Sequence, residues 1–160
     1  MNRALLALLC VGVLAPGLLA HAVVRESARS AGPASMAGAD PEVTIFMDRV
    51  NDYRESIGCP RLVRDLRAQT VAQNHSEDMS ERRYVAHVNP DGDSHTDRLR
   101  YAGLPFDIAG ENLAQTAEGG EVVLQLWLAS PPHRVNIQNC AFLRHGVGRY
   151  ESYWTHVLFR

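Results

Sequence analysis

His87, Glu111, His133 and His156 are the side chains in this sequence whose types and placement could do acid–base or metal chemistry. Each stands at a segment end rather than on an apolar stripe: His87 after a helical pattern, Glu111 in Gly110-Glu111-Asn112, His133 after Ser130-Pro131-Pro132, and His156 in the last strand-like run. Neutral imidazoles and a carboxylate are zinc ligands, and two His with one Glu leave a position open for water. On that reading His87 and His133 hold a divalent metal such as zinc and Glu111 is the general base of a metal-assisted, peptidase-like hydrolase. The same histidines could instead be hydrogen-bonded groups that tie loops to a sheet. Glu111 and Asn112 could likewise fix neighbouring backbone amides, since a buried carboxylate persists only when hydrogen-bonded or paired. Arg134 could pair with Glu111 or with an anionic group of a ligand. Of the other histidines, His75 falls on an apolar helical stripe and reads as a core residue, whereas His95, at a turn, and His145, at a strand start, are expected to face solvent.

The elements that must position these groups follow from periodicity. Val43, Phe46, Met47, Val50, Tyr53 and Ile57 recur at three- and four-residue steps and predict a helix ended by Gly58 and Pro60. Ala68, Val71, Ala72, His75 and Met79 draw a second helix with Asp65 as its N-cap. A turn-rich stretch from Asn89 to Ser94 precedes a short helix over His95 to Ala102, and Gly110 to Gln115 reads as a strand. Glu121 to Leu128 is apolar nearly all round, which predicts a buried helix that Ser130-Pro131-Pro132 ends. His145–Tyr150 and Tyr153–Phe159, flanking Glu151-Ser152, predict a hairpin, so helices with a small antiparallel sheet are the expected α+β architecture.

Composition bounds the function. The chain has 160 residues, 46% hydrophobic and 21% charged, with 16 basic residues against 18 acids. That balance excludes a phosphate-tracking nucleic-acid binder, which needs a basic face. No G-x-S-x-G, H-E-x-x-H, Walker glycine loop, G-x-G-x-x-G or C-x-x-C is present, and Asp91, Asp93 and Asp97 lack the spacing of a calcium loop. Residues 1–22 read as a secretory signal peptide: a charged start at Arg3, an apolar run, and Ala20-His21-Ala22 as a cleavage pattern. Residues 23–41, rich in Ser, Ala, Gly and Pro, are expected to be a flexible linker, and 42–160 the folded domain, with no membrane span after cleavage. Export makes a disulfide possible, and Cys59 with Cys140 is the single pairing open to the mature chain. A secreted or periplasmic monomer is expected.

The order of motifs along the chain is recognisable. Asn51-x-x-Arg54, Ala72-x-x-His75-Ser76-x-Asp78-Met79, Ala86-His87-x-Asn89-x-Asp91-Gly92 and Asp97-Arg98 come first. Gly110-Glu111-Asn112-Leu113-Ala114, Trp127-Leu128-x-Ser130-Pro131-x-His133-Arg134-x-Asn136-Ile137, Gly146-Val147-Gly148 and Tyr153-Trp154-Thr155 follow. From about Glu42 to Phe159 this resembles the CAP superfamily of cysteine-rich secretory, antigen 5 and pathogenesis-related proteins, in its bacterial SCP-domain branch. The resemblance implies a three-layer α-β-α sandwich with a cleft holding two His and two Glu, which in some members takes a divalent cation. His87 matches the first His and Glu111 the Glu of the Gly-Glu-Asn motif. His133 is the nearest counterpart of the second Glu, Tyr153 stands at the second His, and His156 replaces the Gln of that strand motif. The function so implied is a non-catalytic binding domain that takes a small apolar or lipid-like ligand, as similar members do with sterols and fatty acids. His87, Glu111, Asn112, His133, Arg134 and His156 are the candidate binding residues. A metal-assisted hydrolase and a structural module that contacts an envelope component are the alternatives.

Overall fold

The computed structural model describes residues 40–160. The expected signal peptide with Cys10, and the linker up to residue 39, lie outside the described residues. The fold begins slightly earlier than the predicted boundary, because Pro41 opens helix α1 (Pro41–Ser56) rather than closing a linker. Proline suits a first helical position, where its missing N–H has no partner to lose, and the Asp40 side chain accepts from the Glu42 N–H as N-cap.

Eight further elements follow: β1 (Val63–Arg64), α2 (Leu66–Arg82), α3 (His95–Tyr101), β2 (Ala109–Gln115), α4 (Gly120–Ala129), α5 (Pro131–Gln138), β3 (Arg144–Tyr150) and β4 (Tyr153–Phe159). Asp65 caps α2 as predicted, its side chain accepting from Arg67 and Ala68. Ser94 and Asp97 form a reciprocal capping box on α3. The predicted stop at Ser130-Pro131-Pro132 is also a start: Pro131 and Pro132 end α4 but occupy the first turn of α5, an element the apolar pattern did not announce.

The strands form one sheet in the order β1-β3-β4-β2. The predicted hairpin is present as the antiparallel pair β3 and β4. The sheet is mixed rather than wholly antiparallel, since the two-residue β1 joins β3 in parallel. So short a strand has too few residues to show a period.

Helices cover both faces, giving three layers. Alternation along β4 sends Thr155, Val157 and Phe159 toward α2 and Trp154 and His156 toward α1 and α4, with Leu158 on the same face packed against Leu62 and Phe142. On the first side Ala68, Val71 and Ala72 pack with Leu99, Leu104, Val157 and Phe159. On the second, Phe46, Val50, Val123, Trp127, Ile137, Val147 and Trp154 form the larger core. Helix α2 lies unusually close to β3 because Gly146 and Gly148, one pleat apart on that face, have no side chain: a Cβ on either would collide with the α2 backbone at Ala68 or at Ala72 and Gln73. Gln73 exchanges hydrogen bonds with the Arg149 backbone, and Ser76 donates to Gly148 O and Thr155 Oγ1, which fixes the same contact.

Arg54 is fully buried and has no carboxylate partner among the described residues. Its guanidinium instead donates to four main-chain carbonyls, those of Pro60, Ile137, Asn139 and Phe142, and so binds α1 to the chain on either side of Cys140. Cys59 and Cys140 form a disulfide across the same junction, closing 81 residues. In the chain-entropy account, a loop of that length stabilises by roughly 4–5 kcal/mol.

His145 does not face solvent, contrary to its predicted position. It is 1% exposed, and its Nδ1 lies 3.2 Å from Nε2 of His156, itself fully buried. The alternation of β3 points His145 inward, which a strand-start position cannot reveal. His156 stacks on Trp127 at 5.9 Å and meets Phe46 edge-on at 5.0 Å. Burial first, then the charges of Arg54 and Arg64, lower the His145 pKa to about 4. Burial, His145 and Arg54 push His156 well below its ordinary value.

Two outcomes follow from this packing. Gly148→Ala lowers the unfolding free energy by about 1–3 kcal/mol, measured as a reduced urea midpoint at unchanged slope. The buried pair sets the acid side of the stability curve: both imidazoles are neutral in either state above pH 6.5, whereas below it the unfolded chain takes protons that the folded pair refuses. The urea midpoint therefore declines as pH falls from 6.5 toward 4, and a flat profile across that window contradicts the account.

Candidate functional site

Strand β2 is the edge strand that carries the site. Its register pairs Glu111 with Val157 and Asn112 with His156, so Glu111 faces the α2 side and Asn112 the α5 side. The two neighbours therefore reach different partners across one edge.

The Glu111 side chain has no exposed surface and both oxygens are occupied. Oε1 accepts from His87 Nδ1 at 2.9 Å and Oε2 from Arg98 at 2.7 Å. Because an ionised carboxylate only accepts, the His87 proton resides on Nδ1. Arg98 also donates to the carbonyls of His87 and Asp93, so one guanidinium from α3 fixes both the loop and the carboxylate. Burial works to raise the Glu111 pKa, but the His87 hydrogen bond and the charge of Arg98 outweigh it and hold the group below its ordinary value. The same hydrogen bond raises the His87 pKa against its partial burial. This raised value stabilises the fold below pH 6.5 and ceases to do so as pH rises through the folded pKa.

On the other face Asn112 donates to His133 O at 3.0 Å, and Asn136 donates to both Asn112 Oδ1 and Glu111 O. A Cβ on Gly110 would press on the Asn136 and Phe142 side chains, so glycine leaves them room. His133 Nδ1 shares a hydrogen bond with Ser130 Oγ. Its pKa is lowered by burial and then by the charge of His87, an influence that reaches around the sheet edge.

Of the predicted site residues, His87 and Glu111 are in direct contact, and Asn112 is joined to His133 through the main chain. The His133 ring bonds to Ser130, not to Glu111. Arg134 turns away to donate to Leu128 O, and Glu111 takes Arg98 as its partner. His156 is on the Asn112 face but engages His145 in the core. Tyr153 packs with Met79 and Leu113 and accepts a hydrogen bond from Gln115. His95, expected in solvent, is half-buried with its ring 6.4 Å from that of His87, and burial lowers its pKa. His75 is in the core as predicted, its Nε2 donating to Ala86 O. Arg98 and Asn136 are the site residues that sequence reasoning left aside. Both stand inside quoted motifs, and the rule that a buried carboxylate needs a cation was the available signal for Arg98.

The donor set does not suit a resident metal. Nδ1 of His87 and of His133 are engaged, which leaves Nε2 of each, while Glu111 has no free oxygen. Among the described residues no three His, Cys, Asp or Glu side chains are grouped to hold an ion. Two imidazoles fall short of the three protein ligands of a catalytic zinc site, so these residues do not fit a resident zinc ion.

Comparison with known proteins places this geometry in context. The CAP model, the Cysteine-rich secretory protein family, matches residues 47–158. Uncharacterized membrane protein YlbC of Bacillus subtilis (strain 168) is 36% identical over 110 residues, covering 69% of this chain and 32% of that protein. Uncharacterized protein YkwD of the same organism is 30% identical over 133 residues, covering 82% and 51%. The chain thus spans a third to a half of these relatives. Among solved structures, an extracellular protein containing a SCP domain from Bacillus anthracis str. Ames superposes with a TM-score of 0.73 at 34% identity over 75% of this chain and 40% of that one. An outer surface protein from Borrelia burgdorferi shares the fold with a TM-score of 0.72 at 20% identity, over 77% and 95%.

The Glu111 clamp predicts its own loss. Glu111→Gln leaves the largely buried Arg98 without its counter-charge and costs roughly 3–5 kcal/mol. It also removes what raises the His87 pKa, so the His87 titration followed by NMR moves down. An unchanged His87 titration contradicts the assignment.

Proposed function

Because the chain belongs to the Cysteine-rich secretory protein family, we propose that it is an extracytoplasmic CAP domain that binds a small apolar or lipid-like ligand without catalysing a reaction. The observation that carries this reading is the state of Glu111. A general base must reach the proton it abstracts and have a pKa near working pH, whereas this carboxylate has no exposed surface, each oxygen accepts from His87 or Arg98, and its pKa is held low. Val85 and Val88, in the same loop as His87, are 46% and 51% exposed. Exposed branched apolar side chains around a neutralised polar cluster supply contact area for a ligand with few polar groups, and His87 Nε2 supplies one orienting contact.

An extracytoplasmic setting is supported by the disulfide, by the apolar leader of the sequence, and by relatives described as extracellular, outer surface or membrane proteins. No helix among the described residues is long and apolar enough to cross a membrane.

The test is titration of the purified protein with cholesterol as an uncharged apolar probe, followed by amide shifts. Saturable shifts at Val85, His87 and Val88 are expected, with affinity reduced tenfold or more in Val88→Asp. Absence of binding together with turnover of a peptide substrate that Glu111→Gln abolishes overturns the proposal.

A further inference from the structure

Arg98 also borders a second hollow, between α2 and α3, with a volume of about 440 Å3. That is the size of a small-molecule site, on the order of 300–1,000 Å3. Arg67, Thr70 and Asn74 line it from α2 at three- and four-residue steps, hence from one stripe of the helix. Tyr101 forms its lip, 75% exposed and with a hydroxyl that donates to Asp93. Val71 and Ala102 form an apolar floor continuous with Leu99 and Leu104.

No Asp or Glu lines this hollow. Its two guanidiniums are not equivalent, because Arg98 is compensated by Glu111. Arg67 donates to Gly103 O at 3.0 Å and forms no ion pair with the described residues, so one uncompensated positive charge stands over an apolar floor. The hollow along α1 makes the contrast. It is lined by Arg49, Asp52 and Arg61, and these charges are paired with one another.

We propose that the α2/α3 hollow is a binding site for a small amphipathic carboxylate. The carboxylate meets the free N–H groups of Arg67, and the apolar body lies on Val71 and Ala102 against the Tyr101 ring. One unpaired guanidinium matches one monoanion through a forked pair of hydrogen bonds, and the floor rejects an anion that is polar throughout. The site is separate from the His87 cleft, so either proposal can fail without the other.

The test is an NMR titration of the full protein with octanoate, with octanol and inorganic phosphate as probes of the two halves of the ligand. Saturable amide shifts at Val71, Asn74 and Ala102 are expected with octanoate, and binding at least tenfold weaker with octanol or phosphate. Arg67→Gln weakens octanoate binding tenfold or more, Thr70→Phe abolishes it by filling the hollow, and Arg49→Gln leaves it unchanged. Octanoate shifts centred on His87 and Val88, equal affinity for octanol, or Arg67→Gln binding as tightly as the parent each overturn the site.

Discussion

A carboxylate with no exposed surface, on an edge strand, is the constraint around which the site is arranged. Removing Glu111 from water costs several kcal/mol unless its charge is met, and two elements are placed to meet it. Arg98 arrives from α3 and His87 from the loop after α2, and neither would be held as it is without the acid between them. The capping box at Ser94 and Asp97 sets the start of α3 and so the direction from which Arg98 approaches. The main chain of β2 continues the same arrangement on its other face, where Asn136 and Asn112 attach α5 to the strand. A charged group that costs energy to bury thus helps to organise three segments.

The other described elements form the frame for that edge. Gly146 and Gly148 let α2 sit against β3 closely enough for backbone-level hydrogen bonds through Gln73 and Ser76. On the opposite face Arg54 and the disulfide join α1 to the segment around Cys140 by different means, one through four carbonyls and one covalently. Between them the His145 and His156 pair occupies core volume as two neutral polar rings. Neutral imidazoles are tolerated there because each satisfies part of the other, and the buried Nδ1 of His156 remains without a partner.

Several charges among the described residues are matched within the protein. Glu111 neutralises Arg98, and Arg61 and Arg82 pair with nearby acids. Val85 and Val88 beside His87 are exposed apolar side chains, and Arg67 above the α2/α3 hollow forms no ion pair with the described residues. The two places differ in chemistry, one apolar and one cationic.

The local part of the architecture was legible in the sequence. Apolar steps of three and four drew α1 and α2, Asp65 announced its cap, the apolar run and Ser130-Pro131-Pro132 bounded α4, and Glu151-Ser152 between alternating segments gave the hairpin. Such features are set by neighbours along the chain, as are the turn residues. The motif order further identified the family and brought His87, Glu111 and His133 into view. What the chain could not state locally was side-chain direction and partner choice. Whether His145 faces solvent or core depends on which face of β3 is covered, and whether Glu111 takes Arg98 or Arg134 depends on how α3 and α5 approach β2. Both are decided by packing between residues distant in sequence, where burial converts an ordinary carboxylate or imidazole into one whose charge must be matched or surrendered.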